Sequence, residues 1–394
     1  MRRLALVLPT LAAVVIGSLT LPDAAAAIPA FARKYSVSCT LCHAPAPRLK
    51  PFGEEFAGRG FRMEEPGATA EPAAEPPRGT TPTGDLLLEL PDNLPLAVRI
   101  EGHGVYHEDA AAEADLESPY VFKLMSGGPL SPKIAYYAYF IIEQGDIEGL
   151  EDAYLQFNSL FGSGIDLLFG QFQVSDPLFK RELRLSRADY EIYRVRVGEA
   201  RANLTYDRGL MFMATAPAEI DVVFQVVNGN GIPSGEFDND SNKNLALRLS
   251  RDFGPVRFGL FGYLGKEDGP VAGSDEIVYW GPDLTIKPHV HWELNLQYLE
   301  RSDDDPYFLG PAAVDVETRG GFAELLWLPQ GGDGKWSLAA LYNRVDSDDS
   351  AAERDDLALS LGYLLARNIR FVGEIGRDLV VDANRASVGV VAAF

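Results

Sequence analysis

His289-Val290-His291-Trp292-Glu293-Leu294-Asn295-Leu296-Gln297-Tyr298 alternates without a break between two kinds of side chain. In an extended chain successive side chains point to opposite faces, so Val290, Trp292, Leu294, Leu296 and Tyr298 share one face. His289, His291, Glu293, Asn295 and Gln297 share the other. The same period of two returns at Trp336, Leu338, Ala340 and Tyr342 against Ser337, Ala339, Leu341 and Asn343. It returns again at Leu357, Leu359, Leu361 and Tyr363 against Ala358, Ser360, Gly362 and Leu364. Strands of about ten residues with one apolar and one mixed-polar face fit a transmembrane barrel, apolar outside and polar within. A soluble sandwich shares the alternation, so the connections must decide.

Working outward, strands are expected near residues 94, 118, 132, 150, 165, 204, 219, 243, 255, 275, 289, 316, 335, 355, 368 and 385. Their number is even, as bacterial outer-membrane barrels require. Gly162-Ser163-Gly164, Ala216-Pro217-Ala218-Glu219, Phe253-Gly254-Pro255, Lys287-Pro288 and Arg367-Asn368 read as tight turns. Residues 174–203, 228–242, 302–315 and 346–355 read as long loops that alternate with them. Short turns on one side and long loops on the other are the periplasmic and extracellular ends of such a barrel. The final stretch Val388-Gly389-Val390-Val391-Ala392-Ala393-Phe394 resembles the aromatic-terminated signal of outer-membrane barrels. The expected fold is mainly β, a roughly 16-stranded antiparallel outer-membrane barrel over residues 94–394 with a small N-terminal cap.

The start of the chain belongs to another regime. Arg2 and Arg3, an apolar run from Leu4 to Leu21 and the alanines Ala24 to Ala27 form a secretory signal, assigned to residues 1–27. Residues 64–93 are rich in Pro, Ala, Thr and Glu and read as a linker. Between them, residues 28–63 hold both cysteines of the chain, in Cys39-Thr40-Leu41-Cys42-His43. This spacing attaches c-type haem: two thiols tether the porphyrin and the adjacent imidazole ligates the iron. A disulfide or half of a zinc site is the plainer alternative. Zinc would need two further Cys or His ligands, and the other histidines lie far off in the barrel region. A cap of this size is too small to enclose a porphyrin alone, so a neighbouring surface is expected to complete it.

The formal charge of −22 argues against nucleic acid and anionic membranes as partners and favours cations. No Ser/His/Asp, zinc-hydrolase or phosphate-loop constellation is present. Four histidines, His103, His107, His289 and His291, fall on polar faces and are expected to point into the lumen. Met63 and His103 are candidates for the distal haem ligand, a Met/His pair giving the higher potential. Carboxylates gather at three long loops: Asp303, Asp304 and Asp305; Asp346, Asp348 and Asp349; Glu236, Asp238 and Asp240. They read either as a field that concentrates divalent cations or as a solvated loop surface.

A single haem motif behind a signal peptide, a Pro-rich linker and a porin-like barrel together resemble the fused cytochrome-porin family of outer-membrane iron(II) oxidases. Pro29, Phe31, Ala32 and Arg33 match that family's approach to its haem motif, whereas Lys34, Tyr35 and Ser36 depart from it. The resemblance covers the cap well and the barrel in architecture only. It implies one covalent c-type haem, an external electron donor with iron(II) foremost, a periplasmic c-type cytochrome as acceptor, and iron(II):cytochrome c oxidoreductase activity. It implies a haem domain at the periplasmic mouth or within the lumen of an outer-membrane barrel in lipid. Two alternatives stay open: a diffusion porin whose haem cap is a structural or gating plug, and a haem-barrel conduit for a donor or acceptor other than iron.

Overall fold

A computed structural model describes residues 30–63, 95–269 and 273–394. The expected signal peptide and linker lie outside the described residues. Sixteen strands form one closed antiparallel barrel, each hydrogen-bonded to its neighbours in chain order. They are β1 (Leu96–His107), β2 (Ala114–Ser131), β3 (Ile134–Glu143), β4 (Asp146–Phe157), β5 (Ile165–Gln173), β6 (Tyr206–Ala216), β7 (Ile220–Val227) and β8 (Asn244–Phe253). Then follow β9 (Val256–Asp268), β10 (Ser274–His289), β11 (Trp292–Asp303), β12 (Val316–Trp327), β13 (Trp336–Ser347), β14 (Arg354–Ala366), β15 (Ile369–Asp378) and β16 (Ala383–Ala393). The seam joins β1 to β16, with Arg99 opposite Ala393. Val98 and Phe394 exchange backbone hydrogen bonds of 2.6 and 2.8 Å across it.

The alternation fixes which face is which. On β11, Asn295 and Gln297 are buried, while Trp292 and Tyr298 are exposed on the outside. Leu245, Leu247 and Leu249 and, across the barrel, Leu357, Leu359 and Leu361 are exposed outward in the same way. Near the short-turn end, Trp292 stacks on Trp327 at 5.7 Å and Trp336 meets Tyr363 at 4.6 Å. An outer leucine band edged by aromatic rings is a lipid-facing surface, because water would penalise so large an apolar belt.

The turns depart from expectation in three places. β10 runs on to His289 and turns at Val290-His291, because the ladder slips between Ile286 and His289 around Pro288, which has no N–H to donate. On the long-loop side, β3 and β4 are joined by Gln144-Gly145 alone, both at positive φ (53° and 88°), the geometry of a two-residue hairpin. On the short-turn side, residues 328–335 form a longer loop that receives the cap.

The largest departure is residues 174–205, between β5 and β6. They were expected as an external loop, and they fold into the lumen. Val174, Tyr193, Val197 and Leu204 are fully buried against inward-facing Phe261, Tyr263, Ile277, Tyr279 and Leu299. The cause is in the sequence: Tyr190, Ile192, Tyr193, Val195 and Val197 carry more apolar surface than a solvated loop tolerates. Backbone groups thus taken from water need partners. Inward-facing polar side chains provide them: Gln225 donates to the Val174 carbonyl at 3.0 Å and Asn343 to that of Asp189 at 2.9 Å. Arg301 donates to the carbonyls of Val195 and Ala202 at 3.3 and 3.1 Å while paired with Asp303.

The cap comprises α1 (Ala30–Tyr35), a 3-10 turn at Cys39–Leu41 and α2 (Pro51–Gly58). It sits at the short-turn mouth, the end where Phe394 also lies.

Candidate haem site at the barrel mouth

The motif is held in a tight local fold. Ser38 Oγ accepts from Thr40 N, and the Cys39 carbonyl accepts from both Cys42 N and His43 N, at 3.3 and 2.9 Å. Cys39 and Cys42 are free, half-exposed thiols on this turn. The chain then doubles back, with Ala44 N donating to the Arg48 carbonyl and Lys50 N to that of Cys42. This return brings the Pro47 and Arg48 carbonyls to 3.1 Å from His43 Nδ1. Carbonyls only accept, so Nδ1 carries the proton and Nε2 keeps the lone pair that iron ligation uses. Burial pushes the imidazole below its ordinary pKa, against the pull of those carbonyls, and so favours the neutral form. Gly53 lets α2 lie against the motif, since a Cβ there would stand 2.4 Å from the Cys42 carbonyl oxygen. Two accessible thiols and a tautomer-fixed neutral imidazole match the donor set of a c-type haem.

Cap and barrel share their packing. Phe31 stacks on Phe61 at 4.9 Å, meets Phe56 edge-on at 5.3 Å, and Phe61 leans on Tyr137 of β3 at 5.8 Å. Met63 packs in this cluster with Tyr35, Ala57 and Ala135. Around the mouth, Arg33 donates to the Leu96 carbonyl of β1, Arg62 to that of Ser131, and Gln156 and Asn158 to that of Gly58 at the end of α2. On the opposite wall Arg48 pairs with Glu293 at 2.5 Å, and Lys50 bridges the Thr40 carbonyl and Asp333 at 2.6 and 2.7 Å.

From Arg48 a hydrogen-bonded line runs inward. Asn295 donates to Glu293 at 3.0 Å and to Glu324 at 2.9 Å, and Tyr190 of the inward loop donates to Glu324 at 3.0 Å. Motif segment, wall and inward loop therefore form one connected polar unit. In the same loop Glu182 pairs with Lys123 of β2, whose ammonium lies 3.7 Å over the Tyr139 ring. Burial alone would raise the Glu182 carboxyl; Lys123 and Arg99 outweigh it and hold the group at about 2.

The histidines separate into two groups. His103 faces inward as expected, buried, with Nε2 3.5 Å from Glu101 and its ring edge-on to Tyr120. His107 is half-buried at the far end of β1. His289 and His291 do not face the lumen: the displaced turn leaves them stacked on each other at the short-turn rim, 4.7 Å apart. His291 Nδ1 lies 2.9 Å from the Leu328 carbonyl. Of the acidic loop residues, Asp303 is buried in its pair with Arg301. Asp305 is buried, accepting from Leu309 N and Gly310 N. Asp349 accepts from Gly198 N and Ala351 N. These carboxylates build loops. Asp304 stays exposed, near Glu276 and Asp315. Sequence reasoning missed Arg48, Glu293 as its partner, and Arg301. Continued past Gln297, the alternation of β11 puts Arg301 on the same inner face as Glu293, whereas Arg48 carries no such signal.

Comparison with protein-family models and with curated proteins gives no match. Among solved structures the chain is similar to an anion-selective porin from Comamonas acidovorans, with a TM-score of 0.57 and 11% identity over 77% of this chain and 99% of that one. It is similar also to a loop L8 deletion mutant of OmpT, an outer membrane protein of Vibrio cholerae, with a TM-score of 0.55 and 13% identity over 77% and 99%. The trimer form of OmpT gives 0.54 and 12% over the same shares. At such identities the likeness is one of fold. The barrel is an outer-membrane porin-type barrel.

Proposed function

We propose that the chain is an outer-membrane electron conduit in which a c-type haem on Cys39, Cys42 and His43 takes electrons from an external donor, iron(II) foremost, and passes them to a periplasmic carrier. The observation that carries this reading is the building of the Cys-x-x-Cys-His segment into the short-turn mouth of a filled barrel. Haem bound there supplies a one-electron iron couple. The chain's own residues do the rest. Cys39 and Cys42 tether, His43 offers Nε2 from a fixed tautomer, and Arg48 with Lys50 holds the motif segment against the wall. Outside, the exposed carboxylates Asp304, Glu276 and Asp315 attract a divalent donor. The filled lumen on the side of residues 174–205 separates the two aqueous phases.

The porin-type fold favours a second reading, a diffusion porin with the cap as its plug. The buried apolar contacts of the inward loop speak against a wide water-filled path. One experiment on purified, haem-loaded protein separates the readings. Mixed with dissolved iron(II) in a stopped-flow spectrometer, a conduit shows its ferric bands convert to ferrous ones, and in planar bilayers it passes little current. High conductance with no reduction by iron(II) or any other donor would leave the porin. Reduction by another donor alone would remove iron and keep the conduit.

A further inference from the structure

Arg370, the second residue of β15, is 94% buried in the lumen wall, and its Nε and Nη1 have no hydrogen-bond partner. Its charged neighbours are the guanidinium of Arg99 and the carboxylate of Glu101, both on β1. Glu101 is already engaged by Arg99 and lies 3.5 Å from His103 Nε2, and Arg99 Nε is likewise buried without a partner. Arg99 also faces Glu182 of the inward loop, so it is Arg370 whose one carboxylate neighbour, Glu101, is largely spent. A buried cation left without a counter-charge is destabilising, so this arrangement calls for an anion.

The cap shows what stands opposite. Arg33 anchors it to β1 at Leu96, and Lys50 anchors it to Asp333 between β12 and β13. The segment between these anchors carries Cys39, Cys42 and His43. The wall between the same anchors, followed through the seam, is β13, β14, β15 and β16, ending at β1. Asp333 accepts from Arg367, three residues before Arg370, so the Lys50 anchor and the start of β15 are in direct contact. Among the described residues, the cap's side-chain hydrogen bonds to the barrel go to β1, β2, β4, β11, Asn158 and the 328–335 loop, and none goes to β14, β15 or β16. The wall that bears Arg370 therefore lies between two cap anchors and carries no hydrogen bond from the cap among the described residues. Its inward positions Ser360, Gly362, Ser387 and Gly389 are small.

We infer that Arg370 and Arg99 form a carboxylate site in the lumen wall that receives a propionate of the haem tethered at Cys39 and Cys42. Arg suits this role because its planar fork pairs a carboxylate through two parallel hydrogen bonds. The inference rests on the haem reading, and the test separates the two. In full-length haem-loaded protein, haem staining reports attachment, heat-modifiable migration reports the barrel, and a spectroelectrochemical titration across pH reports the haem potential. Arg370→Gln is expected to keep stain and migration, to lower the midpoint potential, and to move the propionate break in its pH profile upward by about one to three pH units, the effect of losing a close cation. Arg370→Lys restores most of the potential, and Arg99→Gln moves it in the same direction as Arg370→Gln. Should Arg370→Gln fail to assemble, the Lys and Arg99 variants carry the test. An unchanged potential and pH profile with haem attached overturns this site and leaves the conduit standing; absence of covalent haem overturns both. A wild-type potential that responds to added inorganic phosphate, with the response lost in Arg370→Gln, would assign the pair to a free anion and overturn the propionate.

Discussion

Arg48 and Glu293 are the residues on which the cap's docking turns. Their side chains are 16% and 15% exposed, so removing one charge strands the other out of water. Glu293→Gln is expected to weaken docking by roughly 3 kcal/mol, the cost of orphaning a buried ion-pair partner. Chymotrypsin should then cut after Leu49 and Phe52 in purified protein that resists it in the wild type. Replacing both partners, Arg48→Met with Glu293→Leu, should recover much of the resistance. Glu182 sets a second expectation, in pH. Its carboxyl is held at about 2 in the folded chain against an ordinary 4.5. A lowered acid binds fewer protons folded than unfolded, so its contribution is complete above about 4.5 and fades as pH falls towards 2. The inward loop should stay docked at neutral pH and loosen across that window, read as rising protease access. Glu182→Gln should flatten the profile. The pairs behind both expectations were half-legible: alternation placed Glu293 on the inner face, and nothing in one sequence says that Arg48, 245 residues earlier, would meet it.

Strand positions were the most legible elements, each within four residues of expectation, because a lipid-facing side and an inner side impose a strict period of two. The 174–205 loop was misread because its length was taken as exposure. Its apolar residues Tyr190, Ile192, Tyr193, Val195 and Val197 were the contrary signal. Chymotrypsin added outside should therefore cut after Phe237, which is 80% exposed between β7 and β8, and spare Tyr190 and Tyr193. Arg301→Met is expected to reverse that protection, since its guanidinium holds two loop carbonyls and the Tyr279 hydroxyl inside the lumen. A cut at Tyr190 or Tyr193 in the wild type would mean that the loop leaves the lumen.

At the scale of the whole molecule, the Cys-x-x-Cys-His segment was legible as a motif and a barrel mouth was expected beside it, while the docking contacts were not legible: they involve Leu96, Ser131, Gln156, Glu293 and Asp333, drawn from five separate parts of the chain. Cap and inward loop fill the barrel from two ends of one polar line. Deleting residues 30–63 should raise single-channel conductance only partly, and deleting the cap while undocking the loop through Arg301→Met should raise it further. Full opening by cap removal alone would mean that the loop blocks nothing. The seam between β1 and β16 adds a constraint in time. β1 has no second neighbour until the last strand has been made, so the ring stays open until β16 arrives. In the proposed conduit, haem attachment at Cys39 and Cys42 needs only the cap, whereas closure of the ring needs β16. A chain truncated before Ala383 should still stain for haem and yet never give the compact, heat-modifiable form.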